Sequence, residues 1–387
     1  MHNFDEIVNR KDTNCLKYDA LPKYFGIDDA QPLWVADMDF KTPEFINNAI
    51  IERAQHGVYG YAKATPALLN SIVNWMKERH DWQIDASWIS LANGVVPAYS
   101  AAIEAFSEIG DEVIVQTPVY YPLFNSVKHN KRKLVTNPLV EKDGRYTMDL
   151  EDLKSKITKK TKILTLCSPH NPVGRVWDKA ELEALANICL ENNITIISDE
   201  IHADIVFKKF TPLAKISKEI SDITITLNAA GKTFNIAGLN CSYAICENKD
   251  LLKRFNDVVI KREINSINVF GFTALQSAYE NGQPWLKELL EYLNNNITFV
   301  DMYLKETKSK ITFKRPEATY LLWFSFKNYS MSHSEVKEKL LKVAKVALND
   351  GLTFGKNGEC YFRLNCALPQ SELKTALSKI VTVFDEN

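Results

Sequence analysis

Lys232 stands in Asn228-Ala-Ala-Gly-Lys-Thr-Phe-Asn-Ile-Ala-Gly238, directly after the apolar run Ile223 to Leu227. At the mouth of a buried strand, its amine is placed to form a Schiff base with a carbonyl, because burial makes an ammonium release its proton readily. A lysine alone is more simply a solvated charge, so the reading rests on its company. Four other segments have the same design, an apolar run followed at once by polar or glycine-bearing residues. They are Trp88 to Ala92 before Asn93-Gly94, Glu112 to Gln116 before Thr117-Pro-Val-Tyr-Tyr121, Lys162 to Cys167 before Ser168-Pro-His-Asn-Pro-Val-Gly174, and Ile194 to Ser198 before Asp199-Glu-Ile-His202. Ligands of open α/β sheets bind beyond the carboxyl ends of the strands. Five such ends converge here.

Each neighbour adds a function that a plainer role also explains. Asn93-Gly94-Val95-Val96 leads from a strand into a helix with Pro97 in its first turn. The free N–H groups there make a phosphate seat, although a glycine before a helix is ordinarily a turn residue. Asp199 follows apolar or small residues, and a buried carboxylate needs a partner. That partner is either a helix start or salt bridge, or the protonated ring nitrogen of a pyridoxal cofactor acting as electron sink. Tyr120 or Tyr121 is positioned to stack on such a ring or to join the core. Arg363, within the strand-like Cys360-Tyr-Phe-Arg-Leu-Asn-Cys366, needs an anion. An internal acid and a substrate carboxylate held bidentately are both open.

The elements that must position these residues follow from the patterning. Helical stretches such as Pro97 to Phe106 and Lys179 to Glu191, the latter after Asp178 as N-cap, alternate with the strands. That alternation predicts a largely parallel sheet with right-handed crossovers. From Trp285 to Tyr303 the pattern becomes one long helix, followed by strands over Thr312 to Phe326 and Glu359 to Ala367 around a helix from Ser332 to Leu348. The fold expected is therefore α/β. A large domain at residues 46–284 has a mostly parallel sheet flanked by helices, and a smaller α+β domain is built from residues 1–45 and 285–387. No repeat, low-complexity tract or Gly/Ser linker separates the two.

The 387 residues carry 47 Lys and Arg against 48 Asp and Glu, which gives no electrostatic reason to expect nucleic acid or an anionic membrane as partner. A small-molecule substrate is the better expectation. Seven scattered cysteines without a C-x-x-C pair suggest neither a metal site nor a disulfide framework. The amino terminus lacks a basic segment followed by an apolar core, and no run reaches a membrane span of ~18 apolar residues. A cytoplasmic protein is expected.

On Asn93-Gly94, Pro118-x-Tyr120, Asn171-Pro-x-Gly174, Asp199-Glu200, Lys232 and Arg363, the chain resembles the fold type I pyridoxal-phosphate enzymes of the class I/II aminotransferase superfamily. Trp34-Val-Ala-Asp-Met-Asp-Phe40, Tyr59-Gly-Tyr61, Asn93-Gly-Val-Val-Pro97, Ser198-Asp-Glu-Ile-His-Ala-Asp204 and Lys232-Thr-Phe-Asn-Ile-Ala-Gly238 are similar to phrases of its cystathionine or cysteine-S-conjugate β-lyase subgroup, the MalY/PatB type. The resemblance implies pyridoxal 5'-phosphate as cofactor, with Lys232 as Schiff-base lysine and proton shuttle. It assigns Asp199 to the ring nitrogen, Asn171 and His202 to the ring hydroxyl, Tyr120 to the ring face, and the Gly94 and Val95 backbone to the phosphate. It gives Arg363 to the substrate carboxylate, Trp34 to the pocket wall, and Tyr61 to the neighbouring subunit's site, hence a homodimer. His202 as a satisfied helix-start residue and Trp34 as a core residue remain the plainer alternatives.

Asn240 and Ala229 stand where many aminotransferases have an arginine and a serine on the phosphate. Cys15 and Tyr18 replace the subgroup's usual Ser and Trp. The resemblance favours β-elimination from a small sulfur-containing amino acid, giving pyruvate, ammonia and a thiol. Transamination uses the same residues, and a regulatory protein that acts by binding another protein is the rival of a different class.

Overall fold

The computed structural model describes residues 2–385. Its centre is a seven-stranded sheet built from β1 (Ile89–Ala92), β2 (Glu112–Thr117), β3 (Lys133–Pro138), β4 (Thr161–Cys167), β5 (Thr195–Asp199), β6 (Thr224–Asn228) and β7 (Ser242–Ile245), in the order β1-β7-β6-β5-β4-β2-β3. Strands β2 to β6 pair in parallel, while β7 runs antiparallel to both β1 and β6. Every residue of β2 and β6 is buried, because helices cover both faces. This is why the parallel strands read as continuous apolar runs rather than alternating ones.

Helices α1 (Glu44–Gln55) and α2 (Pro66–His80) precede the sheet. Helix α3 (Val95–Phe106) packs with α5 (Lys249–Lys261), and their apolar faces join one core cluster with β2, β6 and β7. Helix α4 (Lys179–Glu191) belongs to a second cluster with Leu164, Leu166, Ile194 and Ile196. Its start is fixed as the sequence implies, by a reciprocal capping box between Asp178 and Glu181. A third cluster unites α2, α6 (Val269–Asn281), α7 (Gln283–Glu306) and the carboxyl-terminal elements.

Those elements are the antiparallel sheet β8 (Leu321–Ser325), β9 (Asn349–Asp350) and β10 (Tyr361–Asn365), in the order β8-β10-β9, followed by α8 (Gln370–Asp385). Gln31–Pro32 pairs in parallel with Val346–Ala347, tying the amino-terminal segment to this region. Of the expected domain spans, residues 1, 386 and 387 lie outside the described residues. No described helix is long and apolar enough to cross a membrane.

Two expectations change here. The stretch from Thr312 to Phe326 is a strand only over Leu321–Ser325, with a single bridge between Thr312 and Ser325. Pro316 in its middle cannot donate to a ladder. The helix expected from Ser332 to Leu348 spans His333–Glu338, widens into a π-type turn at Lys339–Val343 and stops. Lys345 then turns the chain with a φ of 54°, and Val346 and Ala347 are drawn off as the partner of Gln31–Pro32. That long-range pairing leaves no local signal.

Candidate active site

Beyond the carboxyl ends of β1, β4, β5 and β6 lies a cavity of about 330 Å³, lined among others by Gly94, Val95, Tyr120, Asn171, Asp199, His202 and Lys232. Seven of the ten residues singled out from the sequence thus face one space. Arg363 on β10 reaches its edge, donating from Nη1 to the Asn171 Oδ1 at 3.0 Å and from Nη2 to the Trp34 carbonyl at 2.8 Å. Tyr61 is not brought in. Its side chain is fully exposed on residues 57–65, which form neither helix nor strand. The Trp34 indole also turns elsewhere, donating to the Lys17 carbonyl at 3.0 Å and lining a separate cavity.

Lys232 sits in the turn after β6, which is closed by bonds from the Phe234 N–H to the Ala230 carbonyl and from the Ile236 N–H to the Gly231 carbonyl. Its Nζ donates to the Ala36 carbonyl at 2.6 Å. Burial lowers the amine from 10.5 to about 8; Arg363 adds to the depression, while Asp37 and Asp199 oppose it. The neutral form therefore becomes abundant near physiological pH.

The segment at residues 34–40 is held over Lys232 by two asparagines. Asn235 accepts from the Met38 N–H at 3.0 Å and donates to the carbonyls of Met38 and Phe40, at 3.0 and 2.9 Å. Asn365 donates to the carbonyls of Val35 and Asp37. Arg10 and Lys17 pair with Asp37 and Asp39 from the other side. Beneath the lysine, Asp204 accepts from Trp75 Nε1 and Thr233 Oγ1, at 3.1 and 2.9 Å, and lies 2.9 Å from His80 Nε2. Thr233 is thereby anchored next to the amine-bearing residue. Sequence reasoning missed Asn235, Asn365 and Asp204 as holders of the site, although all three fall inside segments that had already stood out.

Asp199 ends β5 and is buried. Among the described residues neither a helix nor a salt bridge claims it: its Oδ1 accepts from the Ile201 N–H at 3.2 Å. Burial raises its carboxyl from 3.8 to about 6, against the pull of that N–H and of Lys232. His202 is held neutral, pushed down to about 3 by burial with help from Lys232 and Arg363, and its buried Nδ1 has no hydrogen-bond partner among the described residues.

Gly94 caps α3 with a φ of 146°. A side chain there would be strained, and its Cβ would meet Pro97 Cδ at 3.2 Å. Its N–H donates to Ser242 Oγ at 3.1 Å, leaving the amides of Val95 and Val96 as the opening donors of the helix. Asn93 Oδ1 is likewise buried and unpaired. Lys232 is the only cationic side chain among the residues lining this cavity.

Arg363 is buried, and no carboxylate pairs with it among the described residues, so the internal-acid alternative is not realised. Burial lowers it from 12.5 to about 10, which leaves it charged at neutral pH. Its Nε has no hydrogen-bond partner among the described residues. A buried, charged guanidinium with spare donors is a site for an anion.

The chain matches the model of the family described as aminotransferase class I and II over residues 32–380. It is 40% identical over 381 residues to the cystathionine beta-lyase PatB of Bacillus subtilis (strain 168), covering 98% of each chain. A PLP-bound putative aminotransferase from Clostridium difficile 630 has the same fold with a TM-score of 0.97, at 42% identity and over 100% of both chains. The PLP-bound C-S lyase from Staphylococcus hominis follows with a TM-score of 0.92, at 32% identity over 100% of this chain and 98% of the other. A site of this composition at the carboxyl ends of such a sheet and these near full-length likenesses agree: the chain belongs to the class I and II aminotransferase family, in the branch that holds PatB.

Proposed function

We propose that the protein is a pyridoxal-5'-phosphate-dependent carbon–sulfur β-lyase that converts L-cystathionine or related cysteine S-conjugates to pyruvate, ammonia and a thiol. The observation that carries the amino-acid substrate is Arg363, a buried and unpaired cation beside the cavity of Lys232. The lyase chemistry is supported by PatB and the C-S lyase of Staphylococcus hominis, whose likeness extends over almost the whole chain.

The residues present fit the cofactor. Asp199 lacks the cationic partner that a protonated ring nitrogen would provide, and the open amides of Val95 and Val96 suit a phosphate. Tyr120 supplies a ring face, and His202 and Asn171 stand ready as polar contacts for the ring hydroxyl. With Asn240 in place of an arginine, phosphate binding rests more on backbone amides and on Tyr61 of the partner subunit; the Ser242 hydroxyl is already spent on the Ala92 carbonyl at 2.9 Å. When bound, the cofactor withdraws electrons from the substrate's α-carbon.

The chain's own groups do the rest. Arg363 takes the α-carboxylate in a charge-assisted pair and so fixes the orientation of Cα. The neutral Lys232 Nζ accepts the α-proton. Asp199, once paired with a cation, stays ionised and holds the proton on its partner. The segment at residues 34–40, pinned by Asn235 and Asn365, keeps this space closed from above. Activity should appear as pyruvate released from a cysteine S-conjugate without any added keto acid; turnover that depends on a keto acid would make the protein a transaminase instead.

The amine also sets a pH dependence. Lys232 would hold the cofactor by its aldehyde, and only the neutral amine would be competent to do so. Since burial brings the amine to about 8, the capture rate followed by absorbance should rise with pH and level off above that value. A midpoint near the ordinary 10.5 would overturn this account of the amine.

We further place the cofactor site in a large domain at residues 46–284, with residues 1–45 and 285–387 as the small domain. The seven-stranded sheet lies within the first span, and the β8-β10-β9 sheet with the Gln31–Val346 pairing lies within the second. A homodimer is proposed as well, with Tyr61 reaching the partner's site. Exposed Val58, Tyr59 and Tyr61 form the apolar surface that supports it; sedimentation as a single 44.1 kDa chain would remove this role. The cytoplasm is the proposed setting, in keeping with the chain's free cysteines.

A further inference from the structure

The Arg363 guanidinium is buried without a carboxylate beside it among the described residues, yet one of its faces is covered. It lies over the ring of Phe354, 5.0 Å from the centroid, and that side chain is itself fully buried. A ring face attracts a cation electrostatically, the more so where water is excluded. Part of the cost of burying the charge is thereby offset. The ring takes none of the N–H donors. Nη1 and Nη2 donate to the Asn171 Oδ1 and the Trp34 carbonyl, and Nε donates to nothing among the described residues.

The chain is shaped to deliver that ring. Residues 351–358 fold back on themselves through two short helical turns, Gly351–Phe354 and Lys356–Gly358. This closure requires glycine at both ends, because a Cβ on either Gly351 or Gly358 would collide with the carbonyl oxygen of the other. The loop is bonded in turn to the segment that leads to Tyr120. The Val119 N–H donates to the Phe354 carbonyl at 2.9 Å, and Asn357 Nδ2 donates to the Thr117 carbonyl at 3.0 Å. Trp323 packs edge-on to the Phe354 ring with centroids 5.3 Å apart, and it is the cross-strand partner of Arg363 in the β8–β10 ladder. Ring and guanidinium are thus each fixed by backbone pairing.

An acid in place of the ring would hold the arginine more firmly, but it would compete with the substrate for the same N–H groups. A ring stabilises the charge from its face and leaves the donor edge free. We infer that Phe354 is a positioning residue for this reaction: its ring keeps the Arg363 guanidinium in place without an acid, so that the α-carboxylate of the incoming amino acid is the first to pair with it. Phe354 is not among the residues lining the Lys232 cavity, so it acts through the arginine. The inference rests on the lyase reading above and concerns how that site grips the amino acid's carboxylate. Packing in the core cluster with Trp323 and Tyr361 would also bury the ring, and kinetics separate the two roles.

Steady-state kinetics of the holoenzyme and of Phe354→Leu, on S-methyl-L-cysteine and on L-cystathionine, test this. Leucine keeps a buried apolar side chain and removes the ring face. KM should rise about 5- to 30-fold, as the loss of a desolvated cation–π contact implies, and by the same factor on both conjugates, which share the α-carboxylate. kcat should stay within a factor of about two, the pattern of lost binding rather than lost chemistry. In an Arg363→Met background, Phe354→Leu should change kcat/KM by less than about twofold, because the group that it serves is gone. Phe354→Met gives the same readouts if the leucine variant does not fold. An unchanged KM, a fall confined to kcat, or the same loss with and without Arg363 would each overturn the inference. Wild-type turnover that depends on a keto acid would overturn the lyase reading alone, since KM for the amino acid is then measured in that reaction.

Discussion

Lys232→Ala is expected to lose turnover by at least about 10^2- to 10^4-fold in kcat, the range that removal of a positioned proton-transfer group ordinarily costs. The loss should lie at the upper end, because the same amine both anchors the cofactor and takes the α-proton. The fold should survive. Lys232 Nζ donates to the Ala36 carbonyl, but that oxygen keeps a second donor, the Tyr320 hydroxyl at 3.0 Å. Removing the amine therefore strands no buried acceptor and relieves the burial that had depressed it. The melting temperature should stay within a few degrees of wild type. Added methylamine should restore part of the rate by supplying a base of similar chemistry. Pyruvate release at a rate comparable to wild type would remove the lysine from the centre of the mechanism, whereas a collapse of the melting transition would make its role structural.

How the lysine reaches its place divides what the chain makes legible from what it does not. The ends of β1, β2, β4, β5 and β6 can be found by reading, because a strand buried on both faces is a continuous apolar run and its polar end is abrupt. That is enough to collect Gly94, Tyr120, Asn171, Asp199 and Lys232 at one edge. Antiparallel β7 has only four residues between turns and gives no such run. The clamp over the lysine is less legible still. Asn235 binds backbone atoms 195 and 197 residues away, and Asn365 binds others 328 and 330 residues away. An asparagine that serves a remote carbonyl looks in sequence like any turn asparagine. The direction of the Trp34 indole has the same character, since it is decided by the Lys17 carbonyl and the rings of Tyr24 and Phe25. Tyr61 needs a second chain to acquire any role in a site, and one chain's contacts do not supply it.

Arg363→Met should separate binding from stability, with opposite signs. On binding, a desolvated charge pair between guanidinium and substrate carboxylate is worth roughly 2 to 5 kcal/mol, so kcat/KM should fall by about 30- to 5,000-fold. Most of the fall belongs in KM, since Lys232 and Asp199 are untouched. On stability, three effects compete. The guanidinium is buried and has no acid partner, and an uncompensated buried ion costs several kcal/mol even after relaxation. Against this, the Asn171 Oδ1 and the Trp34 carbonyl lose their donor, at about 1 kcal/mol or somewhat more each. Methionine keeps most of the packing on Phe354, over whose ring the guanidinium now sits at 5.0 Å. Relief of the unpaired charge outweighs the two lost hydrogen bonds, so the melting temperature of the substrate-free variant should equal or exceed that of wild type. An arginine retained for the fold would give the reverse, a lowered melting temperature with KM unchanged. That outcome would move the carboxylate site elsewhere.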